Sequence, residues 1–131
     1  MSDLFAPEGG WRVRILDLSA AAEADDRVVE EIDGFFTLMQ ANAFARRYVR
    51  DSLERCRAAG MNAKDVMEAW LAWGEDAEVV DAAEGGWRSA AELGDFADRP
   101  AGEEERDWRA LDPRRIDDDD EDDDVPEGET P

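Results

Sequence analysis

The sequence predicts a small α+β fold: a mostly antiparallel three-stranded sheet covered by two helices, with a disordered acidic C-terminal tail. Three observations carry this. Residues 11–15 alternate apolar and charged side chains, the period of a half-buried strand. Residues 38–56 place apolar side chains at three- and four-residue spacing behind a capping signal, the period of an amphipathic helix. Beyond Pro100 the apolar residues thin out and charge dominates. The chain is therefore read as a compact domain at 1–100, a charged linker or docking segment at 101–116, and a disordered acidic tail at 117–131.

The first strand is placed at 11–18. Trp11, Val13 and Ile15 share one face, Arg12 and Arg14 the other, and Pro7-Glu8-Gly9-Gly10 forms the preceding turn. Residues 19–26 are rich in Ala, Asp and Glu and fit a loop or short helix. Val28, Val29 and Ile32 among charges predict a second strand at 28–33, closed by Asp33-Gly34.

Thr37 with Gln40 three residues on has the form of a capping box. Leu38, Ala41, Ala45, Tyr48, Val49, Ser52, Leu53 and Cys56 then line one helical face, widened by Phe44, and Gly60 supplies the stop, giving a helix at 38–59. Asn62 caps a second helix at 63–73, with Val66, Met67, Trp70 and Trp73 apolar and Gly74 ending it. A third strand is placed at 77–82. Ser89 and Glu92 repeat the capping-box form before a short helix near 90–97. Glu8-Gly9-Gly10-Trp11-Arg12 recurs as Glu84-Gly85-Gly86-Trp87-Arg88. Five residues do not make a repeat architecture, so the echo is read as two tight turns, each followed by a tryptophan.

The net charge of −21 excludes direct nucleic-acid binding and attachment to anionic membrane by the general surface. Roughly half of the acidic excess falls in residues 99–131. There is no histidine and one cysteine, so the usual Cys/His zinc set and an internal disulfide are both excluded. No metal or cofactor is expected. The N-terminus lacks the basic and long apolar regions of a signal peptide, and no apolar run reaches bilayer length, which fits a cytoplasmic protein. Arginine in place of lysine nearly everywhere, with abundant alanine, is the composition of a GC-rich bacterial genome.

Four features bear on function. The first is the arginine set of the long helix. Arg46, Arg50 and Arg57 fall in one narrow stripe, with Arg47 and Arg55 nearby. The stripe is either a docking strip for an acidic partner segment or a solvated face that neutralises the chain's own acids, and the second reading is preferred. A third reading joins it to the tail, which would fold back over the arginines until a stronger acidic ligand competes. The second feature is the unbroken acidic run Asp117, Asp118, Asp119, Asp120, Glu121, Asp122, Asp123 and Asp124. It suits solubility or a basic partner, and it lacks the glycine and ligand spacing of an EF-hand.

The third is the tryptophans. Trp11, Trp70 and Trp87 are read as core, Trp73 and Trp108 as surface anchors for a partner. The fourth is the carboxylates Glu30, Glu31, Asp33, Glu75, Asp76 and Glu78, all in polar surroundings that give no sign of burial. Without burial to separate their pKa values they make poor acid–base pairs. No P-loop, dinucleotide fingerprint or nucleophile elbow is present, so no catalytic residue is assigned. Cys56 lies on the apolar face and is read as a buried, inert thiol.

The sequence therefore favours a non-enzymatic protein-binding or adaptor module whose partner is another protein, with homo-oligomerisation left open. The alternatives are an acidic charge mimic that binds a basic, nucleic-acid-binding protein, and a minor enzyme with a carboxylate site.

Overall fold

The computed structural model describes residues 10–19 and 27–114. The turn at 7–9, the segment 20–26 and the acidic tail from 117 all lie outside the described residues.

Strand β1 (Trp11–Asp17) is central and pairs antiparallel with β2 (Val28–Phe35) on one side and β3 (Glu75–Val80) on the other. The alternation in β1 has the expected result. Trp11, Val13 and Ile15 are buried, while Arg12 and Arg14 reach Glu31 across the outer face and Arg12 also meets Asp81 at 2.7 Å. Those pairs are well exposed and contribute little to stability. β2 runs two residues further than the sequence suggests. Asp33-Gly34 is not its end but a bulge, because Val13 faces Ile32 while Trp11 faces Phe35. Gly34 takes φ +91° there. Gly10, at φ +88°, comes so close that a Cβ on it would stand 2.9 Å from the Gly34 backbone.

Helix α1 (Leu38–Cys56) has the predicted N-cap but not the full box: the Thr37 hydroxyl accepts the Gln40 N–H at 3.0 Å, while the Gln40 side chain accepts the Phe36 N–H at 3.2 Å instead of that of Thr37. It stops three residues before the predicted end, at Arg57. The Arg57 guanidinium grips Glu54 at 2.8 and 2.9 Å and donates to the carbonyls of Phe96 and Ala97, which draws the chain off the helix axis. Helix α2 (Ala63–Trp73) begins with a full capping box between Asn62 and Asp65. It ends at Gly74, where a Cβ would lie 2.2 Å from Trp70 Cδ1. β3 starts at the very next residue, two positions earlier than expected. The Ser52 hydroxyl accepts the Glu75 N–H at 2.8 Å and the Trp70 indole N–H at 3.2 Å, tying α1, α2 and β3 at one point.

After β3, Asn42 holds the connecting turn through Gly85 O and Trp87 N–H, both at 2.9 Å. The capping box expected at Ser89 does not form. The Ser89 hydroxyl bonds Asp76 instead, Glu92 turns to Arg46 and Trp87, and a 3-10 turn at Ser89–Ala91 precedes helix α3 (Leu93–Asp98). Helix α4 (Glu103–Arg106) and a 3-10 turn at Trp108–Leu111 then run back along α1, so the packed body continues past Pro100. Among the described residues no helix is long and apolar enough to cross a membrane.

The core fills the space between the sheet and α1, α2 and α3, with Ile15, Ile32, Phe35, Phe44, Leu53, Trp70 and Phe96 fully enclosed. Phe44 sits at its centre, 4.9 Å from the Phe35 ring and 5.8 Å from Trp108. Phe44→Ala should cost about 3–5 kcal/mol of unfolding free energy in urea titration, the range for removing a buried aromatic ring.

Candidate functional site

The arginines of the stripe pair with acids of the chain itself, Arg46 with Glu92, Arg57 with Glu54 and Arg50 with Glu105, but Arg50 is buried rather than solvated. Each member of the stripe is engaged by a later part of the chain. Arg46 forks onto Glu92 at 2.7 and 2.8 Å, and that hydrogen bond holds the Glu92 carboxyl below its usual range. Arg47 donates to the Asp107 carbonyl at 3.0 Å. Arg57 closes the end of α3, as described above. Arg50 is only 4% exposed and lies flat on Phe96, 4.5 Å from the ring centre. Its nearest carboxylate is Glu105, at 3.6 Å from one terminal nitrogen. Its other two guanidinium nitrogens find no acceptor among the described residues.

Trp108 is half-buried, not an exposed anchor. It packs on Phe44 and Tyr48, and its indole N–H points at Asp51 at 3.2 Å. Asp51 is itself buried and also receives Arg55 and Arg106, each at 2.8 Å. Trp73 is 75% exposed. The acidic run from Asp117 to Asp124 lies outside the described residues.

Trp73 walls an open cleft of about 680 Å³ between α1, α2 and the start of β3, lined also by Asp17, Arg55, Cys56, Met61 and Glu75. Burial pushes the Cys56 thiol up, disfavouring the thiolate. The Ser19 hydroxyl and N–H hold the Asp17 carboxyl low. Behind the cleft, Tyr48 donates to Glu75 at 2.7 Å, and burial, then that hydrogen bond, pushes its phenol far above its ordinary value.

The free surface with the most definite character is the outer edge of β2. Because β1 lies between β2 and β3, one edge of β2 has no strand partner among the described residues. Around it stand Val29 at 57%, Phe36 at 84% and Met39 at 80% exposure. Glu30, Glu31 and Asp33 are exposed on the same strand. Arg114 is clamped to Asp112 and reaches Glu30, so the C-terminal segment arrives at this strand as well. Sequence reasoning missed Phe36 and Met39, which look like ordinary apolar positions flanking a helix cap. Only the turn of the chain into α1 leaves them outward.

One carboxylate departs from the polar setting expected of it. Asp76 is half-buried over a cavity of about 310 Å³ with Leu16, Trp87 and Ser89. Burial raises its pKa, against the lowering effect of hydrogen bonds from Ala77 N–H and Ser89. No protein-family model, curated protein or solved structure matches the chain.

The Asp76 environment gives a signed prediction. Folding raises this carboxyl above its ordinary 3.8, so the folded chain holds the proton longer than the unfolded one. The cost of the buried carboxylate is absent at low pH and grows as pH climbs through the raised value. Asp76→Asn, which keeps an acceptor for Ala77 and Ser89, should gain stability over the parent at pH 7 and lose that advantage at pH 3.5. Urea melts of both chains at the two pH values check this.

Proposed function

We propose that the protein is a non-enzymatic binding module, an adaptor, whose β2 edge receives an extended, basic segment of a partner protein. The observation that carries this reading is the open β2 edge with exposed Val29, Glu30, Glu31 and Asp33 on the strand and exposed Phe36 and Met39 in the chain that follows it. A strand edge offers a row of backbone donors and acceptors that an extended peptide can satisfy. The apolar side chains add area, and the carboxylates favour lysine and arginine, which would compete with the chain's own Arg114 at Glu30 and with Arg12 and Arg14 at Glu31. Edge strands are commonly guarded by lysine, which would repel such a partner. Here the guard is acidic, and the net charge of −21 adds steering toward a cation.

A second reading, a charge mimic that competes with nucleic acid for a basic protein, is supported by the acidic run 117–124. The two differ in which residues bind.

A labelled peptide alternating lysine and valine serves as probe. It should bind the full chain, weaken as salt rises, and shift the NMR signals of residues 28–36. Phe36→Ser with Met39→Ser, both on the surface, should lower its affinity at least tenfold while leaving the melting temperature nearly unchanged. Undiminished affinity in that variant would reject the edge. Loss of affinity only when 117–124 is changed to Asn and Gln would support the charge mimic instead.

A further inference from the structure

We propose that the side of α1 bearing Arg46, Arg50 and Asp51 is a second docking groove, shaped for a partner segment with a carboxylate three residues before an aromatic ring, and that residues 101–112 of the chain itself keep it closed. This groove is a different surface from the β2 edge, although the covering segment runs on to meet it through Arg114 on Glu30.

The groove has two subsites, both visible through their present occupant. The first is cationic. Arg50 and Arg46 lie 4.5 and 5.2 Å above the Phe96 ring, with Glu105 as the acid brought to them by the covering segment. At 3.6 Å the Glu105 contact is too long for a good hydrogen bond. The buried Arg50 keeps two nitrogens unanswered by any described residue. A buried charged donor without an acceptor is costly, so the site is better than the ligand now filling it. A carboxylate seated nearer 2.8 Å would satisfy what Glu105 does not.

The second subsite is aromatic. Trp108 stands edge-on to Phe44 and 5.0 Å from Tyr48, and its N–H meets the Asp51 carboxylate. This slot takes a flat ring with a donor on its rim. Glu105 and Trp108 are three residues apart, Glu105 on α4 and Trp108 opening the 3-10 turn, with the non-helical Asp107 between them, so one short segment spans both subsites.

The covering segment is built to be displaced. It consists of a four-residue helix and a four-residue 3-10 turn, neither long enough to persist alone. Apart from Trp108 it is held by Leu111, which packs against the core, and by polar contacts: Arg106 on Asp51, Arg47 on the Asp107 carbonyl, and Gln40 on the Leu111 carbonyl. It follows the exposed stretch Arg99-Pro100 and Gly102, whereas α3 before it is locked by the buried Phe96. Opening at 101 therefore leaves the sheet and α1–α3 packed.

The test uses the full chain and a fluorescein-labelled peptide with the sequence of residues 101–114, added in trans. Trp108→Ala and, separately, the milder Arg106→Ala in the full chain loosen the internal occupant, with thermal melts checking that each is folded. Each variant should bind the peptide at least tenfold more tightly than the parent, with NMR shifts on α1. Replacing the peptide's Glu105 equivalent by Gln, or its Trp108 equivalent by Ala, should remove that gain. In the parent, amides of 103–112 should exchange with deuterium at least tenfold faster than those of α1. Equal peptide affinity in parent and folded variants, indifference to the two peptide changes, or exchange of 103–112 as slow as α1 would each overturn the proposal. Phe36→Ser with Met39→Ser should leave this binding unaltered, which separates it from the β2 edge.

Discussion

Helix α1 meets the sheet with Ala41, Phe44, Ala45, Val49 and Leu53, and meets the C-terminal segment with Arg50 and Asp51. Such a helix cannot be covered by a three-stranded sheet alone. Its second side, ionic as well as apolar, needs its own cover, and α3, α4 and the turn around Trp108 provide it. Much of the remaining architecture answers to that need. Arg57 leaves the helix axis to hold the end of α3, Glu92 abandons a cap to pair with Arg46, and the chain past Pro100 returns along α1. Ion pairs of this kind contribute modestly to stability, but they fix which strand of chain lies where.

Charge in this protein is local in its effects. The total is strongly acidic, yet the densest group of arginines sits beneath the chain's own carboxylates, and the acids along β2 are exposed even where Arg12, Arg14 and Arg114 reach them. The two surfaces therefore have opposite preferences. The β2 edge suits a cationic, extended partner and stands open. The α1 groove suits an anionic, aromatic one and is occupied. A single overall charge does not reveal that division.

Elements whose signals are local were legible in the sequence: the period of β1, the Thr37 and Asn62 caps, and Gly74 as the end of α2. What failed depended on contacts between distant residues. Gly34 reads as a turn until Gly10 is found beside it. Ser89 and Glu92 read as a cap until Asp76 and Arg46 compete for them. Trp108 sits among charges in sequence, but Phe44, Tyr48 and Asp51 form its pocket from more than fifty residues away. The same holds for Asp76, whose burial comes from Trp87 and Ser89 closing over the sheet. The arginine stripe was visible as a pattern, but what covers it was not.

The unpaired edge of β2 has a further consequence for self-association. Natural strand edges are commonly shielded by lysine. Here the shield is acidic, and two of its members already face arginines of the same chain, Glu30 meeting Arg114 and Glu31 meeting Arg12 and Arg14. What keeps copies of the chain apart along this edge is therefore the overall charge of −21 as much as the strand's own side chains, and salt screens that long-range repulsion.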